Sequence, residues 1–560
     1  WVYAAGRMIP TALKEPAMRS PLLSAVLLCV VLILPAHAQP DLSADHLDGT
    51  APLVMDDPLD VVMVRGINYF AEREIADSPN RRPAKWNRDY SSVEAYEKSV
   101  EANRERLREI IGAVDERSED VRELLVHYPA GPIVNVAWLD SVDASNVSWD
   151  VLAGVMAEGV TIKPSLALPI GIPRVPPKEV DKPLGLFSQE ELRVMENSVA
   201  GRAVVIFIPD ADQSPEEVLG ITDEELREGR LIHRLVANGI HVHIPALIDR
   251  SPEFSGNPNV RYTNLPHREF IYRMAFEMGR HVIGYEVQKI LALVDRLKVQ
   301  HERPHIGDRP IIVVGVGEGG LLAMHAAAID PRIDACVVSA YFSEREGVWQ
   351  EPIYRNVWRQ LSEFGDADLA SLIAPRRLIV EAAPAPEIDG PPQPAQGRSG
   401  GAAPGRIVTP DDEVVVREFD RASEHFKQLD IPEHIQLIRH DAESDDSDQL
   451  FQAILRAADL DEMVPAEELE RDQEPERMRP KDEAEQLNER IQARQKRQVA
   501  ELDRFTQALM HRSDKERYKF WTNVDLSNVE ACEESLEFYR DYVYDNMIGR
   551  LPEPEMPLNP

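Results

Sequence analysis

Six residues, Gly315-Val316-Gly317-Glu318-Gly319-Gly320, have the spacing of a turn that performs acyl transfer, but the attacking group is missing. They follow the β-branched run Ile311-Ile312-Val313-Val314 and lead into an apolar stretch, 321–328, that reads as a helix. Strand, tight glycine turn and helix make up the setting of a G-x-S-x-G nucleophile elbow, in which a serine on a strained turn is offered to a carbonyl carbon. Position 317 is where that serine belongs, and it is glycine. Glycine allows the turn and the close approach of strand to helix, but it carries no nucleophile.

The other groups such chemistry needs are sought at the carboxyl ends of neighbouring strands. Glu318 supplies the N–H that would stabilise an oxyanion, and its carboxylate is a candidate catalytic group. An anion there opposes negative charge building beside it. The competing use is a helix-start glutamate, solvent-facing or salt-bridged and favoured by the helix dipole. Glu387 and Asp389 follow the strand 378–381, and Asp389 is taken as the candidate acid. His440 follows 435–438, where a general base belongs, and Asp441 stands next to it. Asp210 and Asp212 occupy the turn after strand 204–208, and Asp249 and Arg250 the turn after 242–248. These four are the candidate ligand-binding residues, since α/β ligand sites form at that edge of a sheet. Aspartates are also common turn formers and helix caps. Gly315, Gly317 and Gly320 fit G-x-G-x-x-G, but the early βαβ setting and the distal acid are lacking, so no cofactor is expected. No Cys/His cluster has metal-ligand spacing, and no metal is expected either.

Positioning such groups requires a covered sheet. Apolar runs at 204–208, 242–248, 311–314, 336–340, 378–381 and 435–438 alternate with helical stretches near 215–238, 267–298, 319–329, 412–428 and 447–457. This alternation predicts a mostly parallel α/β sheet with helices on both faces, flanked by helical segments. A capping box at Ser91-Ser92-Val93-Glu94 opens a helix expected to reach about residue 125, and strand-like pieces such as 133–138 follow it. Residues 39–80 show little periodicity. The Pro/Ala/Gly-rich segment 383–405 reads as a mobile loop insertion. After a charged linker at 461–482, a helix near 483–511 carries Leu487, Ile491, Val499, Leu502, Phe505 and Leu509 on one face.

The chain has 560 residues, 43% of them hydrophobic, and a net charge of -35. That field repels phosphate backbones and anionic lipid, which argues against nucleic-acid or membrane-surface binding. Arg19, the apolar run 22–34 and Ala36-His37-Ala38 before Gln39 form an export signal too short to span a membrane, predicting a periplasmic or extracellular protein. After cleavage only Cys336 and Cys532 remain, so no disulfide framework is expected. The segments read as 1–38 (upstream residues and signal), 39–130 (helical), 131–460 (α/β domain) and 461–560 (charged linker and helical segment).

An internal repeat is present. The sequence from Asp89 to Glu101 returns from Asp525 to Glu537 with Asp, Ser, Val-Glu-Ala, Glu, Ser and Glu at the same spacing. Arg104 and Arg540 keep the register, and Ile111-Gly112 returns as Ile548-Gly549, one residue out of step. Because the first copy introduces an α/β domain, a second such domain is expected beyond residue 560, packed against this chain.

With these residues in view, the chain resembles exported bacterial α/β-hydrolase proteins of the dienelactone hydrolase and acetyl-xylan-esterase-like type. The resemblance rests on the 315–320 turn, on Arg332-Ile333-Asp334-Ala335, and on Leu372-Ile373-Ala374-Pro375-Arg376 before the strand at 378. It implies ester hydrolysis by a serine, and the chain departs from it at 317. Active relatives also place a His-Gly-type donor in the turn that here reads Pro209-Asp210-Ala211-Asp212-Gln213, a second departure. The favoured reading is a non-catalytic binding or supporting module of a larger esterase, with a small ester or carbohydrate-derived molecule as the ligand class. The alternative is an active carboxylesterase using Glu318, Asp210, Asp212 and His440. If only the nucleophile is lost, Gly317→Ser should restore activity.

Overall fold

The computed structural model describes residues 56–119, 124–125, 142–164, 201–220, 227–255, 264–302, 307–394, 396–397, 399–439, 447–464 and 481–553. The signal at 1–38, the strand-like piece 133–138, and His440 with Asp441 lie outside these residues. The chain divides into two units, one of Asn68–Leu526 and one of Trp1–Ile67 with Ser527–Pro560. Among the described residues no helix is long and apolar enough to cross a membrane.

Among the described residues the larger unit is built on a nine-stranded sheet. Its strands are β1 (Leu124–Leu125), β2 (Val142–Leu152), β3 (Val155–Pro164), β4 (Ala203–Ile208), β5 (Ile240–Pro245), β6 (Ile311–Val316), β7 (Ala335–Ser339), β8 (Arg377–Ala382) and β11 (Ile435–Arg439). They lie in the order β1-β2-β3-β5-β4-β6-β7-β8-β11. Pairing is antiparallel up to β3–β5 and parallel from β5 onward. Counted from β2 the order is 1-2-4-3-5-6-7-8 with the second strand reversed, the arrangement of the α/β-hydrolase fold.

The continuous apolar runs follow from burial on both faces. Along β4 and β6, Val204, Ile206, Ile311 and Val313 enter one core, while Val205, Phe207, Ile312 and Val314 enter the other. The first core is roofed by helices α2 (Val93–Ile110), α5 (Val282–His301), α6 (Glu318–Ile329), α7 (Asp366–Ile373) and α8 (Asp412–Gln428), and the second by α3 (Arg227–Ala237) and α9 (Ser447–Ala457). Each strand residue therefore meets a dry layer whichever way it points, and polar alternation would be unfavourable.

Several boundaries differ from the sequence expectation. Residues 59–76 form a helix, α1 (Leu59–Ala76), that periodicity did not signal. The helix opened by Ser92 stops at Ile110, where Gly112 takes φ 67°, and does not reach 125. The single helix expected over 267–298 is two, α4 (His267–Phe276) and α5. Gly279 at φ 63° ends the first turn of chain, and His281 caps the second helix by accepting from Ile283 N. Described residues of the 383–405 insertion make defined contacts with the domain. The insertion's short strand β9 (Ile388–Asp389) pairs with β10 (Arg406–Ile407) just after it, Asn264 Oδ1 accepts from Gly401 N at 2.8 Å, and Glu269 accepts from Ala403 N at 3.0 Å.

The late helix is present as α10 (Lys481–Phe520), longer than expected. Val499, Leu502 and Phe505 are buried in the first core and Leu487 in the second. Its polar residues brace the loop after β5 and the helix α5: Gln495 Nε2 donates to Leu247 O at 2.7 Å, and Lys289 Nζ of α5 donates to Gln498 Oε1 at 2.6 Å. Arg494 pairs with the buried Glu216 at 2.7 Å. Leu502→Ala should therefore lower stability by about 2–5 kcal/mol in urea unfolding, the range for a buried leucine. A loss below about 1 kcal/mol would mean that α10 does not pack as a core element.

Candidate functional site

The turn between β6 and α6 is tight and built on glycine. Gly317 takes φ 57° and ψ -116°, its N–H donates to Ser339 O at 3.0 Å, and Gly320 N returns to Gly317 O at 3.0 Å. A side chain at this φ is strained, which is the condition under which an elbow presents its nucleophile. Gly319 is required by contact, since a Cβ there would lie 2.0 Å from Ile208 O. The sequence thus builds the strand-to-helix junction that an acyl-transfer serine needs, and leaves the serine's position without a side chain.

The space beside Gly317 is filled by Asp210. A Cβ on residue 317 would lie 2.6 Å from Asp210 Oδ1 and 3.2 Å from Pro386 Cδ. The same Oδ1 accepts the Glu318 N–H at 2.9 Å. In a working elbow this N–H points at the oxygen of a tetrahedral intermediate. Here the chain's own carboxylate oxygen satisfies it. Over the turn, Ala383 and Ala385 pack with Ala340 and Val316 in a small apolar cluster.

Asp210 is held by a buried lattice of opposite charges. Arg250 Nη1 meets Asp210 Oδ2 at 2.5 Å and Nη2 meets Oδ1 at 3.1 Å, a bidentate pair. Arg250 also reaches Asp212 Oδ2 at 3.1 Å and Glu318 Oε2 at 3.2 Å, and its Nε donates to Tyr354 Oη at 2.8 Å. The Glu318 carboxylate, fully buried, sits among three guanidinium groups, with Arg268 at 2.9 Å and Arg355 at 2.8 Å completing the set. Arg268 continues to Glu286 at 2.5 Å, and Arg355 to Glu351 at 2.8 Å.

Burial alone would raise both acids' pKa values. For Asp210 the Arg250 guanidinium and the Glu318 N–H outweigh it, and for Glu318 the guanidinium groups of Arg355, Arg268 and Arg250 do so, so both carboxyls stay below the usual range. Asp210 and Glu318 are thus both held as paired ions.

Of the four candidate ligand-binding residues, Asp210, Asp212 and Arg250 come together, and they bind one another. Asp249 turns aside: its Oδ1 accepts from His267 Nδ1 at 2.6 Å. The Phe254 N–H donates to His267 Nε2 at 2.8 Å, which fixes the Nδ1–H tautomer and leaves no ring nitrogen for chemistry. Glu318 is the buried, salt-bridged helix-start residue of the competing reading. Asp389 lies exposed on β9, its backbone paired with Arg406, and Glu387 is exposed nearby. His440 is outside the described residues.

Sequence reasoning did not single out Tyr354 and Arg355 as members of the site, nor Glu381. Glu381 is buried at the end of β8, where it accepts from Ser339 Oγ at 2.5 Å and pairs with Arg227. The available signal was a charged residue closing an otherwise apolar strand, Leu378-Ile379-Val380-Glu381.

No protein-family model matches the chain, and no curated protein matches it. Among solved structures it is similar to a Bacteroides fragilis protein provisionally assigned as an acetyl xylan esterase, at 14% identity over 66% of this chain and 82% of that one, with a TM-score of 0.42. It is also similar to a glucuronoyl esterase of carbohydrate esterase family 15 from Caldicellulosiruptor kristjansonii (13% identity, 70% and 91% covered, TM-score 0.35). A third likeness is to acetyl xylan esterase 1 from Thermoanaerobacterium (12% identity, 67% and 96% covered, TM-score 0.35). The fold assignment rests on the strand order and not on these likenesses.

Asp210→Asn keeps the shape and removes the charge that balances Arg250, and it should lower stability by about 3 kcal/mol, the scale for breaking one side of a buried pair. Carboxyls held below their ordinary pKa contribute stability above it and lose that contribution as pH falls. The native chain's denaturant midpoint should therefore drop steeply below about pH 4, and the drop should be shallower in Asp210→Asn. Parallel pH profiles for the two proteins would show that Asp210 is not held as an ion.

Proposed function

We propose that the α/β domain is a non-catalytic relative of the carboxylic-ester hydrolases, serving as a supporting module of a larger exported esterase. One observation carries this reading: the Asp210 carboxylate accepts the Glu318 N–H beside a glycine at the nucleophile position. An acyl-transfer site needs a nucleophile, a base and an empty set of oxyanion donors. Here the nucleophile has no side chain, and the donor is already bonded to an anion. A substrate oxyanion would have to displace a carboxylate that a bidentate arginine holds. Export is part of the proposal on the strength of Arg19, the apolar run 22–34 and Ala36-His37-Ala38.

The reading distinguishes itself from that of an elbow lacking only its serine. Gly317→Ser puts a Cβ against Asp210 Oδ1 at a positive φ, so the variant should lose about 1–3 kcal/mol of stability. It should gain no turnover of p-nitrophenyl acetate. Turnover by the native chain that disappears in His440→Ala would instead establish the active-esterase alternative. Activity appearing in Gly317→Ser would mean that Asp210 yields the oxyanion position.

A further inference from the structure

The two repeated segments agree in structure as well as in sequence. Ser92 and Asn528 both take φ -157°, and each side chain accepts the N–H three residues on, from Ala95 and Ala531. From these caps run α2 and α11 (Val529–Tyr542). Each copy closes on a glycine with positive φ, Gly112 at 67° and Gly549 at 84°. The one-residue slip between them has a structural cause. The second copy passes through a π-helical turn, Val543–Ile548, and a π turn accommodates one additional residue.

The first copy shows what such a helix packs against. Tyr96, Val100, Leu107 and Ile111 are fully buried, and Arg104 nearly so. Tyr96 Oη donates to Ser371 O at 2.7 Å, and Arg104 Nη2 donates to Leu372 O at 3.0 Å. Both acceptors belong to the last turn of α7, where helix carbonyls have no partner within the helix. The copy ends in a notch: a Cβ on Gly284 of α5 would lie 2.0 Å from Ile111 O. The seat is therefore an apolar groove with helix-end carbonyls for an arginine and a glycine notch for the helix terminus.

In the second copy the equivalent positions keep the apolar and arginine pattern, with a cysteine in place of the tyrosine, but without that burial. Cys532 and Leu536 stand for Tyr96 and Val100, Arg540 for Arg104 and Ile548 for Ile111. Cys532 and Leu536 are only half-buried, Arg540 is exposed, and Ile548 is 60% exposed. Leu526 is 80% exposed where its counterpart Tyr90 packs on the core. We infer that α11 is the docking helix of a second domain of this same α/β fold, carried by protein sequence following residue 560, which it meets as α2 meets the first. A second copy of this chain is the less suitable occupant, because its own seat is already filled by α2. The inference extends the reading of a supporting module, but its test does not use ester turnover, so the two can fail separately.

Cys532 reports on the seat, since it replaces the innermost tyrosine of the first copy. The rate of iodoacetamide labelling is read on the peptide that carries it, in the 560-residue chain and in the product of the complete reading frame. Docking should slow labelling in the complete product about tenfold or more, because the thiol then reacts only through local opening. Leu536→Asp in the complete product should return the rate to that of the shorter chain, and Arg540→Ala should do so in part. Equal rates in the two proteins overturn the inference, as does a reading frame that stops after Pro560. A 560-residue chain that is already dimeric by light scattering with Cys532 protected overturns it in favour of self-association.

Discussion

The arrangement of this site depends on one contact, the Asp210 carboxylate held between the Arg250 guanidinium and the Glu318 N–H. The fold aims that N–H, at the start of α6, toward the place where an acyl oxyanion would sit. A buried N–H without a partner is unfavourable by about 1–3 kcal/mol. Here a carboxylate from the β4 loop satisfies it, as the proposed non-catalytic reading requires. Gly317 and Asp210 are then one feature: a Cβ at 317 would lie 2.6 Å from the carboxylate oxygen that accepts the Glu318 N–H.

The neighbouring charges follow from burying that carboxylate. A single ion in this environment would be strongly disfavoured, and Arg250 compensates it. Arg250 lies against Glu318, which in turn needs Arg268 and Arg355, and these lead to Glu286 and Glu351. Arginine suits this role because its planar fork makes several fixed hydrogen bonds at once and stays charged when buried. The elements that carry these groups are fixed from outside by α10, through Gln495 on Leu247 O and Gln498 on Lys289. A helix distant in sequence therefore sets the register of the loop bearing Arg250.

What was legible in the sequence is what local physics determines. The six apolar runs became parallel strands because a run buried on both faces leaves its signature in composition. Leu487, Val499, Leu502 and Phe505 announced the buried face of α10 at helical spacing. The tight strand-to-helix turn was readable because glycine is demanded there by contact and by φ. The lattice was not, because Asp210, Arg250, Arg268, Glu318 and Arg355 come from five separate segments that only the tertiary fold brings together. A lone aspartate in a turn looks like a turn former, whether it caps a loop or fills an oxyanion position. The helix break at Gly279 was missed for a related reason, since apolar periodicity continues across it.

The central claim is that Asp210 occupies an anion position which the fold still forms. Titrating acetate into Asp210→Ala while following the melting temperature tests it most directly, because acetate supplies the deleted carboxylate without the tether. The account expects acetate to raise the melting temperature of Asp210→Ala in the millimolar range, by mass action on a vacated site, and to leave the native chain unchanged. An equal response of both proteins would contradict it, and so would no response of Asp210→Ala at any acetate concentration that leaves it folded.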